Sequence, residues 1–112
     1  MVSVYLIKAS LNDDIVYKIG WTKRHPMDRI REMKTGNAHD LDIVHIFKSE
    51  WGTKIESALK RKFKEYSLQG EWFCLKNDDV FNFIDYCKNI ENNFIFLKDN
   101  NTWFSEKYKN LN

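Results

Sequence analysis

The chain opens with two apolar runs that a polar connector separates. Residues 2–7 and 15–22 are rich in β-branched and aromatic side chains, and residues 9–14 have the length of a hairpin connection. The two runs are therefore expected to form antiparallel strands. Because apolar residues occupy both odd and even positions in each run, we expect the sheet to be covered on both faces.

An apolar stripe at helical spacing follows the second run. Pro26 suits the first turn of a helix, where a missing backbone N–H costs nothing, and Gly36 suits the left-handed residue that ends one. The side chains of residues 41–47 then alternate between two sets that would lie on opposite faces of a sheet, and this pattern predicts a third strand. The stripe of the first helix consists of Met27, Ile30 and Met33.

A second helix is predicted after the third strand. Thr53 is the expected N-cap, with Glu56 three residues later as its capping-box partner, and Gly70 breaks the helix. Residues 71–75 fit a short strand or a packed extended segment. The apolar stripe of the second helix consists of Ile55, Leu59, Phe63 and Tyr66.

A third helix, capped by Asn77 or Asp78, begins the C-terminal part of the chain. Residues 93–112 are compatible with a hairpin, with a segment packed on the domain, or with a contact to a second copy. The large aromatic side chains expected to be buried there are Phe94, Phe96 and Trp103. The interior positions of the third helix are Val80, Phe81, Ile84, Tyr86, Cys87 and Ile90.

Composition narrows the class of protein. A length of 112 residues fits one domain, and contents of 43% apolar and 15% aromatic residues exclude a disordered chain. No apolar run is long enough to cross a membrane and no basic-then-apolar leader opens the chain, so we expect a cytoplasmic protein without a membrane partner. Cys74 and Cys87 form neither a disulfide framework nor a metal motif, and are expected to be reduced core residues.

Positive charge is concentrated in the first two thirds of the chain. The net charge is only +2, but residues 1–70 carry 13 Lys and Arg against 9 Asp and Glu. A basic face on a nearly neutral protein suits the phosphates of nucleic acid, whereas the alternative is that these cations cover two solvated helix faces. The candidates for nucleic-acid binding are Lys23, Arg24, His25, Arg31, Lys60, Arg61 and Lys64.

Short motifs occur in a fixed order between residue 2 and about residue 75. They are Val-Tyr ending at Tyr5, Tyr-Lys-Ile-Gly-Trp-Thr at 17–22, Asp-Arg-Ile around Arg29, Lys-Thr-Gly-Asn at 34–37, Ile-Glu-Ser-Ala-Leu around Glu56 and Gly-Glu-Trp-Phe at 70–73. This ordered set resembles the GIY-YIG endonuclease family. The likeness is to its compact stand-alone branch, which is found in phages, bacteria and large DNA viruses.

The resemblance implies an α/β (α+β) fold in which helices flank a small antiparallel sheet. Residues 1–76 would form the nuclease-like core. Residues 77–112 lie largely outside the likeness, and we expect them to add a helix and an aromatic extension packed on the same domain.

The resemblance also implies metal-dependent hydrolysis of DNA phosphodiester bonds. Tyr5 would take a proton from the attacking water or orient it, Arg29 would hold the scissile phosphate, and Glu56 would ligate one divalent cation, Mg²⁺ or Mn²⁺. Gly20 would let the second strand approach the site closely. A guanidinium group and a hard cation complement the negative charge that gathers on phosphate oxygens in such a transition state.

Three positions depart from the family's pattern, the first of which is Ser3, where the first glycine is expected. Lys18 stands where the second tyrosine is expected, and Tyr17 is its neighbour on the opposite face of the strand. A cation at Lys18 would favour the phenolate form of Tyr5, so Lys18 is included among the candidate catalytic residues. Lys60 stands where family members often have a histidine, one turn after the glutamate.

The register of the first hairpin tests this arrangement. Tyr5 and Lys18 share a face only if the numbers of directly paired residues have an odd sum. An even sum would instead set Tyr5 beside Tyr17.

Two function classes besides a nuclease are open at the level of sequence. One is a catalytically degenerate nucleic-acid-binding domain on the same scaffold, and the other is a protein-interaction module that uses the aromatic tail. A homodimer is compatible with the nuclease hypothesis, because two active sites suit the cleavage of two DNA strands.

Overall fold

The computed structural model describes residues 1–11, 13–34, 40–68 and 71–100, with the backbone alone at Leu11 and Lys34. A 3₁₀ turn, Lys64–Tyr66, follows the second helix. The strands are β1 (Val2–Leu11), β2 (Asp14–Thr22), β3 (Leu41–Ser49) and β4 (Trp72–Phe73). The helices are α1 (Pro26–Lys34), α2 (Gly52–Lys62), α3 (Asn77–Phe81) and α4 (Phe83–Asn100).

All strand pairs in the sheet are antiparallel, and the strand order is β3-β1-β2-β4. The predicted α+β class with a small antiparallel sheet and flanking helices is therefore confirmed. The first hairpin forms as predicted, but β1 continues to Leu11 and β2 begins at Asp14, so the connection is shorter than residues 9–14. Asp13 in this turn has a φ of 70°, a left-handed conformation that Asp tolerates in tight hairpins.

The hairpin register decides which side chains share a face of the sheet. Tyr5 pairs with Gly20, and Ile7 pairs with Lys18, so the paired residue numbers have an odd sum. Tyr5 and Lys18 consequently lie on one face, and Tyr17 lies on the other. A slip of one residue would have reversed the faces for the whole of β2.

Helices cover both faces of the sheet, as the continuous apolar runs predicted. The smaller core lies between the sheet and α1 and contains Tyr5, Ile7, Ala9, Val16, Ile30 and Leu41. The larger core lies under α2 and α4 and contains Val4, Leu6, Tyr17, Ile19, Ile55, Leu59, Phe63, Phe73, Leu75, Phe83 and Cys87. Tyr17 is thus a core residue, separated from Tyr5 by the sheet.

The short strand β4 covers only part of the outer edge of β2. Trp72 pairs with Lys18, and Phe73 pairs with Tyr17. Within the described ranges, no strand pairs with residues 19–22 on that side. The edge of β2 is therefore open at this point, and side chains from the two faces of the sheet can meet around it.

The start of α2 differs from the predicted capping box. The helix begins at Gly52, and Trp51 precedes it without a side-chain capping hydrogen bond, so the prediction of Thr53 as N-cap was wrong. A Cβ at Gly52 would lie 2.7 Å from a methyl carbon of Val2, so glycine allows the helix to start close against β1. Glu56 consequently lies beyond the first turn and is free to face the edge of the sheet.

Two helices replace the single predicted third helix. The break at Asn82 leaves Phe81 83% exposed and buries Phe83 completely, so the prediction that Phe81 is an interior residue was wrong. His45 of β3 stacks on Phe83, with ring centroids 5.6 Å apart, and its Nε2 lies 2.8 Å from the carbonyl oxygen of Val80. These long-range contacts with β3 select Phe83 as the buried aromatic.

Helix α4 continues to Asn100, so of the alternatives open for the C-terminal residues the hairpin is excluded for residues 94–100. Phe94 is partly buried and stacks on Trp51, whereas Phe96 is exposed on the helix surface. None of the described helices is both long enough and apolar enough to cross a membrane.

The two cysteines have different environments. Cys87 is a free core thiol as predicted, and burial raises its pKa to about 12. Cys74 is exposed, so the prediction that it is a core residue was wrong. Three further predicted positions, namely Gly36, Gly70 and Trp103, lie outside the described residues.

The burial of Phe83 predicts a large difference between two neighbouring aromatics. Phe83→Ala should lower the free energy of unfolding by about 3–5 kcal/mol, because it leaves a cavity between β3 and α4. Phe81→Ala removes the same atoms from an exposed position and should change the free energy of unfolding by about 0.5 kcal/mol or less. Urea titrations followed by circular dichroism measure both values, and equal losses would contradict the burial described here.

Candidate active site

A cavity of about 520 Å³ lies across the open edge of β2. Side chains reach it from both faces of the sheet, because Tyr5 and Lys18 belong to the α1 face, whereas Glu56 comes from α2 on the other side. The lining residues with charged or hydroxyl groups are Tyr5, Lys18, Thr22, Lys23, Arg24, Arg29, Glu56, Lys60 and Glu71. All four predicted catalytic residues are among them: Tyr5, Lys18, Arg29 and Glu56.

Tyr5 lies against the backbone of Gly20, its partner in the hairpin. A Cβ at Gly20 would lie 2.3 Å from the Tyr5 hydroxyl oxygen and 2.4 Å from the ring carbon that bears it. No other residue leaves this space, so glycine is needed here for the close approach of a side chain rather than for an unusual φ. Tyr5 is almost completely buried and is one of the residues that line the cavity.

Arg29 approaches the Tyr5 hydroxyl group from α1. A hydrogen bond to Tyr5 is the main reason that the pKa of Arg29 lies above its ordinary value. The guanidinium Nη1 also donates to Glu32 Oε2 at 3.0 Å. Its Nε is buried without a hydrogen-bond partner among the described residues, which leaves one donor available for a further acceptor.

Glu32 contacts two arginines that line the cavity and was not among the predicted site residues. It accepts hydrogen bonds from Arg24 and from Arg29, and the Arg24 contact is the main cause of a pKa below the ordinary range. Glu32 therefore draws two cations to one rim of the cavity. Because Glu32 follows Arg29 by three residues on a predicted helix, the sequence could have indicated their contact. The contact of Glu32 with Arg24 could not be inferred without the fold.

Glu56 is a buried carboxylate on α2 that lines the cavity. Its Oε2 lies 3.3 Å from the Lys60 Nζ one turn later. A buried carboxylate needs a cation or several donors to offset its lost hydration, and Lys60 supplies a cation in this structure. The carboxylate that the resemblance assigns to metal binding is thus paired with an internal ammonium group.

Glu71 is a second carboxylate at the cavity that was not among the predicted site residues. Its Oε2 lies 3.0 Å from Lys18 Nζ, and its Oε1 lies 4.0 Å from Lys60 Nζ. The hydrogen bond with Lys18 is the main reason that the pKa of Glu71 is lowered. The motif Gly-Glu-Trp-Phe at 70–73 contained this residue, but only the pairing of Trp72 with Lys18 brings it to the site.

The carboxylate oxygens at the cavity are of the chemical type that binds a hard divalent cation. Glu56 and Glu71 each have a carboxylate oxygen within 4.0 Å of the same Lys60 ammonium nitrogen. Mg²⁺ prefers carboxylate oxygens and retains several waters, so it needs few protein ligands. Among the described residues no group of three His, Cys, Asp or Glu is placed to hold a metal.

The predicted nucleic-acid-binding residues fall into two sets. Lys23, Arg24 and Lys60 line the cavity, where the half-exposed Trp21 also lies. His25 accepts a hydrogen bond from the Met27 backbone N–H through Nδ1 at 3.1 Å, and it lines a neighbouring cleft. The cations away from the cavity lining are Arg31, Arg61 and Lys64.

The contact between Tyr5 and Gly20 yields a prediction about stability. Gly20→Ala should destabilise the protein by about 1–3 kcal/mol, because the new methyl group overlaps the phenol ring. The same substitution in a Tyr5→Leu background should cost less, since the shorter side chain leaves space. A double-mutant cycle from urea unfolding measures this coupling, and additive losses would contradict the contact.

Comparison with protein-family models places most of the chain in one family. Residues 3–88 match the model of the T5orf172 domain, a span that runs from β1 into α4 and contains every residue that lines the cavity. No curated protein and no solved structure gives a significant match. T5orf172 domains occur in nuclease-like proteins of phages and bacteria. With more than half of its length matched and the cavity wholly inside that span, the chain belongs to the T5orf172 domain family.

Proposed function

We propose that the chain is an endonuclease of the GIY-YIG type that hydrolyses DNA phosphodiester bonds with the aid of Mg²⁺ or Mn²⁺. The observation that carries the proposal is the convergence of Tyr5, Arg29 and Glu56 on one cavity. They come from β1, α1 and α2, respectively, and the two helices lie on opposite faces of the sheet. The nuclease-like proteins in which the family occurs provide independent support.

Arg29 is suited to hold the scissile phosphate. Hydrolysis gathers negative charge on the non-bridging oxygens, and a guanidinium group offers several donors in a fixed plane. Glu32 already holds Nη1 in place at 3.0 Å, which reduces the freedom that the side chain must lose when a phosphate binds. The buried Nε without a partner is a further donor on the same group.

Tyr5 is placed to act on the attacking water. In the reaction, water adds to phosphorus, the bond from phosphorus to the leaving sugar oxygen breaks, and the water must lose a proton. The Tyr5 hydroxyl group orients the water, or Tyr5 receives that proton as a phenolate whose own proton has already passed to solvent. The positive charge of Arg29, whose pKa is raised mainly by its interaction with Tyr5, stabilises that phenolate until it takes up the proton.

Glu56 would hold the divalent cation, which when bound supplies positive charge at the leaving oxygen. Lys60 pairs with Glu56 at 3.3 Å, so the ammonium group has to move aside when the carboxylate takes up a metal ligand role. Lys23 and Arg24 at the rim supply cations for the flanking phosphates, and Trp21 offers a ring on which a base can stack.

One observation favours a second function, a nucleic-acid-binding domain without cleavage. The Glu56 carboxylate is already paired with Lys60, which stands where the resemblance to the GIY-YIG family would lead one to expect a histidine. In that case the basic rim of the cavity would bind DNA and the internal ion pair would replace the metal. Nicking of plasmid DNA separates the two functions from each other.

Glu56→Gln should reduce Mg²⁺-dependent nicking of supercoiled plasmid by about 100-fold or more, because the variant loses the charge that binds the cation. Glu65→Gln removes one negative charge from the 3₁₀ turn, outside the cavity lining, and should nick like the unmodified protein. Gel electrophoresis of the plasmid forms measures both rates. Equal nicking by both variants would contradict the role of Glu56, and salt-sensitive binding without any nicking would favour the second function.

The two neighbouring arginines of α1 provide a matched comparison. Arg29→Lys keeps the charge but loses the planar set of donors and should slow nicking by about 10-fold or more. Arg31→Lys makes the same change on a side chain that is exposed and pairs with Asp28 at 3.2 Å, and its rate should stay within about twofold. Single-turnover plasmid assays measure the two rates, and a loss confined to Arg31→Lys would overturn the assignment.

A further inference from the structure

We propose that the carboxylate of Glu71 occupies a phosphate-binding subsite formed by Lys18 and Lys60, with Arg29 nearby, and that a DNA phosphate must displace it. This inference rests on the proposed function only in taking DNA as the ligand of the cavity. It assigns to Glu71 an autoinhibitory role as an internal mimic of the substrate.

The cations around Glu71 have the chemistry of a phosphate site. Lys18 Nζ contacts one carboxylate oxygen at 3.0 Å, and Lys60 Nζ lies 4.0 Å from the other. Arg29 contributes a weaker favourable charge, since it is also among the groups that lower the pKa of Glu71. Several cations that converge on the two oxygens of one anion make up the arrangement that binds a phosphate group.

The exposure of these side chains indicates which partner is exchangeable. The Glu71 side chain is 60% exposed, whereas those of Lys60 and Lys18 are 31% and 14% exposed. The carboxylate therefore lies on the solvent side of the two cations and covers them. Lys18 projects from the middle of β2, whereas Glu71 precedes the paired residues of β4 and has the more exposed side chain, so Glu71 is the partner to exchange.

The position of Lys18 requires that some anion remains there. An ammonium group with little exposure in an otherwise apolar strand is costly without a partner. Displacement of Glu71 is therefore an exchange of one anion for another. A DNA phosphate satisfies Lys18 and Lys60 in the same way, and it brings the sugar-phosphate backbone beside Tyr5 and Arg29, which line the same cavity.

Glu71→Gln provides the test, because the amide has the shape of the carboxylate without its charge. Binding of a fluorescein-labelled DNA duplex is measured by anisotropy in EDTA, so that no hydrolysis occurs. We expect about fivefold tighter binding, as follows from the loss of a competing ion pair of ordinary strength. We also expect the slope of log K, where K is the association constant for DNA, against log salt concentration to become steeper by the amount that about one additional phosphate contact contributes.

Glu65→Gln is the control, since it changes the net charge of the protein equally at a position outside the cavity lining. If the gain comes from net charge alone, the two variants will bind equally tightly, and the proposal is overturned. A second control is Glu71→Gln in a Lys18→Gln background, where the gain in affinity should be largely lost. A gain that persists in full in that background would also overturn the proposal. Thermal unfolding of each variant establishes that it is folded.

The plasmid assay keeps this inference separate from the proposed function. If the unmodified protein nicks DNA and Glu71→Gln binds no better than Glu65→Gln, the subsite proposal alone fails. If Glu71→Gln binds more tightly but no variant nicks DNA, the subsite stands and the proposed catalysis fails.

Discussion

The contact between the Tyr5 ring and the backbone of Gly20 is the constraint on which the candidate site depends. It exists only in the register in which these two residues are paired, and it requires the absence of a Cβ at Gly20. The same register puts Lys18 on the face of Tyr5 and sends Tyr17 into the opposite core. The pairing of Tyr5 with Gly20 thus decides which hairpin residues line the candidate site and which are buried in the opposite core.

The open edge of β2 is the second requirement, because it lets two helices on opposite faces contribute to one cavity. Charged groups there form two linked sets. In one, Lys60 lies between the carboxylates of Glu56 and Glu71, and Glu71 also pairs with Lys18. In the other, Glu32 holds Arg24 and Arg29. Each set leaves cations at the cavity with an internal anion beside them, and the proposed binding of phosphate rests on these cations.

The pattern of residues predicted an element correctly where a single short segment contained all the features that define the element. The hairpin, the third strand and the helix that starts at Pro26 follow from apolar periodicity and proline chemistry within about ten residues. The capping box at Thr53 failed although its pattern was correct, because the fit of Gly52 against Val2 sets the start of α2. Phe81 and Phe83 could not be ranked by spacing, since contact with His45 decides which of them is buried.

By itself, the sequence indicated the order of the elements up to about residue 75, because apolar periodicity is a local property of the chain. Its resemblance to the GIY-YIG family, which rests on the order of short motifs, named Tyr5, Lys18, Arg29 and Glu56 as candidates. Only the tertiary structure decided the ionic partners at the site. Glu71 reaches Lys18 through a strand pair that joins residues more than fifty positions apart, and Glu32 draws in Arg24 across a turn. Electrostatic contacts depend on distance in space, which the spacing of residues along the chain does not encode.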